Sequence, residues 1–487
     1  MLTCLLPLLL APSCASAATQ VPLSVDTDAY KWDIDRPPHP NATGHLIFDT
    51  VSSLLQHWPN TKNYNGHSIV PGAIPAGTLL YHGRTDPEPP SGREWLALDP
   101  EFARIFCSRE PIDEDPLPEC WFLTLVTTRP VRVLYFDGSS AAKIPDGTMD
   151  AQDIVSWGKV WPERSSSAWD YPRMNKLCDW GEQLGFEGFV RMQLGFEIIL
   201  CDFTSRVQTV SFSQLHAERL DPHHANSFLH ASEWHDAFPG ELRIKLDLSQ
   251  LVSLYDTDLA PSLVERRFNV SRAEHRLLGI NQEDIDRVLA RLGAIQDTPA
   301  TSESGIDWLS LFQVIRDRYA KRLRVLQSTL KDASGSRAFH LASMMLAPYT
   351  LDSAAPENPG EDDNSWVLPI FKLCATTHTS FAATRVASST PSERLLLNAT
   401  QETLHEICRT LVMIYAEGED GSVGKWKAEV DRLISWLDWG EWLRCEPACS
   451  WDETCFLFGP PFAKKYWNLT APRCIRAFPP YTFDAFE

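Results

Sequence analysis

The chain has 487 residues, of which 44% are hydrophobic and 22% charged, so it is long enough for two or three domains and its composition argues against general disorder. Acidic residues outnumber basic ones by 64 to 44, which gives a formal net charge of -20 at pH 7. Because such a surface repels phosphate backbones, we expect no nucleic-acid partner.

The N-terminus is a short apolar run followed by small residues. Ala15-Ser16-Ala17 forms a cleavage pattern after this run, so residues 1–17 are predicted to be a secretory signal peptide. The run is too short to span a bilayer and no later stretch is long and apolar enough, so we expect no membrane span. The sequence therefore predicts a secreted, extracellular protein.

Residues 74–107 contain two short strands and a helix start. An apolar strand at 78–81 ends at His82-Gly83, and Gly83 permits close approach to a ligand. A second strand is predicted at 95–98. Asp99-Pro100-Glu101 then supplies the N-cap, the first-position proline and the first-turn acid of a helix.

Short strands and a few helices follow up to residue 220. Their Val, aromatic and Thr content predicts strands at 121–127, 131–136, 189–192, 196–203 and 207–212. The pattern is typical of an α+β domain with a mainly antiparallel sheet, which we assign to residues 18–220. Glu197 lies inside an apolar strand, where a carboxylate is costly unless it faces solvent, a salt-bridge partner or a site.

Residues 74–212 resemble the His-Tyr-Glu type of the ADP-ribosyltransferase superfamily in the order of three residues and in the strands that carry them. His82 matches the histidine that ends a strand in a Tyr-His-Gly-like setting. Trp95 stands where that family has a tyrosine, and Glu197 matches the glutamate of a later strand. The whole chain is also similar to uncharacterised secreted proteins of filamentous fungi, a resemblance that implies no activity.

The first resemblance implies an ADP-ribosyltransferase-like fold and NAD as co-substrate. Its nicotinamide–ribose bond would break through an oxocarbenium-like state that the Glu197 carboxylate stabilises. His82 would hydrogen-bond a ribose hydroxyl, and Trp95 would stack near the nicotinamide. Gly83 and Arg84 would complete the site, with Arg84 on the pyrophosphate. Trp95 in place of tyrosine removes a hydroxyl, which is a departure from the family's pattern.

Three functions stay open at this point. The first is an NAD-dependent ADP-ribosyltransferase or NAD glycohydrolase, whose partner is a small-molecule nucleotide or a protein acceptor. The second is a catalytically inert extracellular binding module or effector on the same fold. The third is a secreted hydrolase with an acid pair, for which Asp99, Glu101 and Glu197 are available.

Beyond residue 220 the pattern becomes mainly helical. We assign a helical region to 221–352, a Pro-, Gly- and acid-rich linker to 353–365, and a helical C-terminal region with a cysteine-rich tail to 366–487. Asn281 predicts the N-cap of a helix. No metal is expected, since no supporting spacing surrounds the clustered histidines His223, His224, His230 and His235.

Cysteine usage agrees with export, because ten of the 12 cysteines lie beyond the leader and an even number favours disulfides. Two disulfides are predicted within the tail, among Cys445, Cys449, Cys455 and Cys474. A third is predicted between Cys107 and Cys120. Sequons predict N-glycans at Asn41, Asn269, Asn398 and Asn468.

Overall fold

The computed structural model describes residues 32–107, 119–216, 231–232, 240–297, 304–352, 364–385, 389–462 and 464–476. The predicted signal peptide, the four clustered histidines and most of the predicted linker lie outside these residues.

A ten-stranded mixed sheet is the main β-structure of the described residues. Its strands are β1 Ser68–Ile74, β2 Leu79–Arg84, β3 Glu94–Ala97, β4 Cys120–Thr127, β5 Val131–Phe136, β6 Gly188–Met192, β7 Phe196–Leu200, β8 Val207–Leu215, β9 Lys245–Leu246 and β10 Val252–Ser253. The order is β10-β1-β5-β6-β7-β3-β2-β4-β8, and β9 also pairs with β1. Only the β5–β6 pair of this sheet is parallel. The predicted mainly antiparallel sheet is thus confirmed for the part of the chain that the structure describes.

Helices cover both faces of the sheet. The α-helices of the described residues are α1 Gly44–Ser52, α2 His57–Lys62, α3 Pro100–Ile105, α4 Asp150–Trp157, α5 Asp170–Gln183, α6 Phe203–Arg206, α7 Gln282–Gly293, α8 Trp308–Lys331, α9 Gly335–Leu346, α10 Leu368–Thr376, α11 Ser380–Ala383, α12 Pro391–Glu417 and α13 Val423–Leu437. The predicted cap is confirmed, since the Asn281 side chain accepts a hydrogen bond from the Asp284 N–H at the start of α7.

The central strands are apolar on both sides because both sides are covered. All five residues of β6 and of β7 are buried. Val190 and Ile198 belong to a core shared with α8 and α12, whereas Phe189 and Ile199 belong to a core shared with α4 and α5. Since successive strand residues point to opposite faces, a strand between two helical layers needs this near-continuous apolar run.

The sheet is not confined to the predicted 18–220 domain. The short strands β9 and β10 come from beyond residue 220 and pair with β1. One continuous core also joins Phe48 of α1 to Ile407 of α12. Residue 220 itself lies outside the described residues, so the exact boundary stays a prediction, as does the finer likeness to an ADP-ribosyltransferase fold.

Five disulfides connect the described cysteines. Cys445–Cys455, Cys449–Cys474 and Cys107–Cys120 form as predicted. Cys178–Cys201 and Cys374–Cys408 were not paired from the sequence. All four of these cysteines are buried, where a cysteine packs like a small hydrophobic residue, so their pairing has no local sequence signal.

The described helices include none that combines the length and the apolar content needed to cross a bilayer.

Candidate functional site

A pocket of about 330 Å³ lies between β2 and β3, and we call it the β2–β3 pocket. These strands share a single paired position, Tyr81 with Ala97. The pocket is lined by all five residues that the resemblance assigned to an NAD site, which are His82, Gly83, Arg84, Trp95 and Glu197. Residues that are far apart in the chain therefore line the same pocket.

The sheet register explains why Glu197 reaches the pocket. Glu197 pairs with Ala97 of β3 on one side and with Arg191 of β6 on the other. Because paired residues on neighbouring strands project from the same face, Arg191, Glu197 and Tyr81 lie along one row across four strands.

The Glu197 carboxylate is buried, with 2% of its surface exposed, and it has a counter-ion. Its Oε1 accepts hydrogen bonds from Arg191 Nε at 2.8 Å and from Arg191 Nη2. Its Oε2 makes no hydrogen bond with a described residue. A buried carboxylate is tolerable only with such a partner, so Arg191 is what allows Glu197 to sit inside the apolar strand.

Arg191 continues into a second ion pair that also borders the pocket. Its Nη1 donates to Asp170 Oδ1 at 2.9 Å, and Lys143 Nζ lies 3.2 Å from Asp170 Oδ2. Burial raises the pKa of Asp170, but the charges of Arg191 and Lys143 outweigh it and hold that pKa well below its usual range. The pocket floor is therefore a network of ion pairs in which Arg191 is shared by the Glu197 and Asp170 carboxylates.

His82 lies inside β2, which continues to Arg84, and so does not end its strand as predicted. Its Nδ1 lies 2.8 Å from the Trp95 carbonyl oxygen. A carbonyl can only accept, so Nδ1 carries the proton in this bond and Nε2 is left as an acceptor. Burial lowers the pKa of His82 to about 4, against the opposing effect of the Trp95 hydrogen bond, and the Arg84 charge adds to the decrease. His82 is thus a neutral acceptor at physiological pH.

We expect His82 to make folding stability depend on pH below about 6.5. An unfolded histidine gains its proton near pH 6.5, whereas folded His82 resists protonation down to a pKa of about 4. Acid therefore favours the unfolded state over this interval. Urea unfolding at several pH values should show the stability of wild type falling relative to His82→Gln between pH 6.5 and 4. A pH-independent difference would contradict the assigned charge state.

Two polar side chains at the pocket have donors without partners. Arg84 Nη2 donates to Asp86 at 3.1 Å, but Arg84 Nε and Nη1 are shielded from solvent and make no hydrogen bond with a described residue. The indole Nε1 of Trp95 is in the same state. Unpaired buried donors cost about 1–3 kcal/mol each, and more when charged, so a ligand oxygen that reached these donors would offset that cost.

An aromatic pair forms one wall of the pocket. The rings of Trp95 and Tyr171 lie 4.5 Å apart at 80° to each other, in an edge-to-face arrangement. Tyr171 is the first residue after Asp170 in α5 and is largely exposed. The pair offers a planar ligand ring an aromatic surface at the entrance.

Gly83 has a structural role that differs from the predicted one. A Cβ at this position would lie 2.3 Å from the carbonyl oxygen of Ala103 in α3. The glycine is therefore needed for close packing of β2 against α3, and ligand approach is not required to explain it.

The hydrolase alternative named Asp99, Glu101 and Glu197, and of these three carboxylates Glu197 lines the β2–β3 pocket. Asp99 and Glu101 do not line the β2–β3 pocket, and Asp99 Oδ1 accepts from Arg243 Nη2 at 2.8 Å. The residues that sequence reasoning missed are Lys143, Asp170, Tyr171 and Arg191. Arg191 had a usable signal, since a charged residue inside an apolar strand is as conspicuous as Glu197, six residues later in the same hairpin.

Comparison with known proteins places this pocket in a matched segment. Residues 25–116 and 114–220 match the family model of the YPL277C N-terminal domain, and every residue of the pocket lies between these limits. The chain is similar to the uncharacterized protein YOR389W of Saccharomyces cerevisiae, at 24% identity over 92% of this chain and 86% of the relative. It is also similar to the uncharacterized yeast protein YPL277C, at 29% identity over 39% of this chain and 48% of the relative. No solved structure gives a significant match.

Proposed function

We propose that the β2–β3 pocket binds NAD and cleaves its nicotinamide–ribose bond, passing ADP-ribose to water or to an acceptor. The observation that carries the proposal is the convergence of His82, Trp95 and Glu197 on one pocket beside the unpartnered donors of Arg84. Its volume of about 330 Å³ suits the reacting half of a dinucleotide, with the rest extending towards solvent.

Each part of such a ligand has a matching group. The guanidinium of Arg84 favours a phosphate, because charge-assisted bonds to anionic oxygens are the strongest that arginine makes. The neutral His82 favours a hydroxyl donor, as a ribose provides. The Trp95–Tyr171 pair favours a planar ring. Phosphate, ribose and planar ring together describe a nucleotide.

The chemistry follows from the position of Glu197. When the ribose C1′–N bond breaks, its electron pair goes to the pyridinium nitrogen, and nicotinamide leaves as a neutral molecule. Positive charge develops on the sugar, and a fixed carboxylate stabilises it. A water oxygen or an acceptor oxygen or nitrogen then bonds to C1′ and gives up one proton. No general acid is required, since the leaving group is already cationic in the substrate.

Arg84 tests the binding half of the proposal. Arg84→Met should weaken NAD binding about 10- to 100-fold, the scale of losing a charged hydrogen bond of about 1.5–3 kcal/mol. Isothermal titration calorimetry measures it directly. Arg93→Met is the matched control, because Arg93 lies next to β3 but pairs with Asp179 at 2.7 Å outside the pocket. Equal affinities of the two variants would count against phosphate recognition by Arg84.

A second candidate is a catalytically inert binding module that uses the same pocket. The observation in its favour is the Arg191–Glu197 ion pair, because a neutralised carboxylate stabilises a developing cation less than a free one. This function predicts NAD binding without nicotinamide release. The two candidates share the binding experiment and separate in the cleavage experiment.

We also propose that the chain is a secreted glycoprotein. Five disulfides fit an oxidising compartment, and the side chains of Asn41, Asn269, Asn398 and Asn468 are all exposed. Intact-mass analysis of protein from the culture medium should show a first residue near Ala18 and a mass decrease after endoglycosidase treatment. An unchanged mass with Met1 still present would contradict both points.

A further inference from the structure

We propose that a second cavity, far larger than the β2–β3 pocket, binds an amphipathic anion with a long acyl chain. This tail cavity has a volume of about 910 Å³ and is open to solvent on one side. Its wall is formed by some of the residues in segments 37–46 and 264–275, by Lys62, by the end of α13 and by residues 467–470 of the cysteine-rich tail. It shares no lining residue with the β2–β3 pocket, so the proposal is independent of NAD chemistry.

The residues that line the cavity include more cations than carboxylates, although the protein as a whole is acidic. The chain has a net charge of -20, yet the tail cavity is lined by four Lys or Arg side chains and one carboxylate, Asp438. Three of these cations have carboxylate partners. Lys62 pairs with Asp438 at 2.6 Å, Arg272 with Asp49 at 2.6 Å, and Arg432 with Glu429 at 3.2 Å. The fourth is Arg267.

Arg267 has no carboxylate partner among the described residues. Its Nη2 donates to the Leu254 carbonyl at 2.6 Å, and its guanidinium lies 4.7 Å from the ring centre of Tyr255. Its Nε and Nη1 are shielded from solvent and donate to no described group. Arg267 is therefore a mostly buried cation whose charge no described carboxylate balances, and such a charge favours an anionic head group.

The nearby histidine responds to the same positive field. Burial lowers the pKa of His275 to about 4, and the charges of Arg267 and Arg272 contribute to the decrease. His275 also lines the cavity and is therefore neutral at physiological pH. With His275 neutral and the other three cations paired, the charge of Arg267 favours an anion over a cation.

The rest of the cavity wall is apolar, and for this reason we propose a ligand with an acyl chain. Phe268 and Val270 are 41% and 42% exposed, and Trp436, Trp467 and Leu469 line the same space. Adjacent exposed apolar side chains around a concave surface are typical of ligand sites, and the volume is within the range of about 300–1,000 Å³ for such sites. An inorganic anion would not contact this apolar surface, so the proposed ligand has both an anionic head group and an acyl chain.

The head group can come from two sources, a fatty acid or a monoacyl phosphate, and titration calorimetry on the full chain distinguishes them. Oleate and monooleoyl glycerol phosphate are used below their micelle concentrations, with oleyl alcohol, acetate and inorganic phosphate as partial ligands. Because the sequon residues Asn41 and Asn468 line the cavity, each titration is repeated after endoglycosidase treatment.

We expect at least one acyl anion to bind at micromolar concentration and each partial ligand to bind at least tenfold more weakly. The tighter of the two anions identifies the head group. Arg267→Met should weaken binding tenfold or more, whereas its matched control Arg266→Met, an exposed neighbour that does not line the cavity, should not. Val270→Asp, which puts a negative charge on the apolar wall at an exposed position, should also weaken binding. No binding before and after deglycosylation, or equal binding by wild type and Arg267→Met, would overturn the proposal.

Discussion

Glu197→Gln should lower the rate of NAD cleavage about 100- to 1,000-fold while NAD affinity changes little. The amide keeps the shape of the side chain but removes the charge that faces the developing ribosyl cation, and losing one such electrostatic group has this typical cost. Single-turnover measurement of nicotinamide release separates the chemical step from binding. A fully active variant would contradict the role of Glu197.

A matched control for this substitution is Glu187→Gln. Glu187 immediately precedes β6 and pairs with Arg129 at 2.6 Å and Arg206 at 2.7 Å, away from the β2–β3 pocket. Both changes replace a salt-bridged glutamate with its amide in the same part of the sheet. Equal losses of cleavage in the two variants would point to general destabilisation and not to a catalytic carboxylate.

Arg191→Met should be the most destabilising single change in the pocket, at about 3–5 kcal/mol. Arg191 is fully buried and is the shared counter-ion of Glu197 and Asp170. Its removal leaves two buried carboxylates facing each other, with Lys143 as the remaining cation near Asp170. Urea unfolding at pH 7 gives the free energy, with Arg129→Met as the control for a half-exposed pair worth at most about 1 kcal/mol.

The pH dependence of this loss has a defined sign. Arg191 and Lys143 hold the pKa of folded Asp170 below its unfolded value, so their contribution is present at neutral pH and is lost in acid. The gap between wild type and Arg191→Met should therefore narrow as the pH falls below about 4, where Asp170 of the variant is protonated. The double variant Arg191→Met, Glu197→Gln should be more stable than Arg191→Met alone, because one of the two buried carboxylates that lose Arg191 as counter-ion is replaced by a neutral amide. A loss below about 1 kcal/mol at pH 7 would show that the network is not the counter-ion system described here.

Local patterns predicted the elements of the pocket better than its chemistry. The predicted strand at 95–98 differs from β3 by one residue at each end, and α3 starts after Asp99 as expected. The start of a strand or helix depends on nearby turn and cap residues, which the sequence displays. Asp99 nevertheless makes no capping bond to α3 and accepts from Arg243, because a distant cation competes for its carboxylate.

The charge state of the site depended on residues that no local pattern connects. Asp170, at the start of α5, pairs with Arg191 of β6, and Lys143 pairs with Asp170 from the segment between β5 and α4. These ion pairs form only once the sheet and α5 are in place. The same holds for His82, whose acceptor nitrogen is fixed by a carbonyl 13 residues away. Sequence reasoning identified Glu197 as a carboxylate that needs a partner, and the structure supplies that partner from the neighbouring strand.

The central claim is tested most directly by incubating purified protein with NAD and measuring nicotinamide and ADP-ribose in the same sample, with calorimetric binding alongside. We predict nicotinamide release by wild type, an equal amount of free or transferred ADP-ribose, and little release by Glu197→Gln although it still binds NAD. NAD binding without any release would replace the enzyme with the inert binding module. Neither binding nor release by wild type would contradict the proposed function of the β2–β3 pocket.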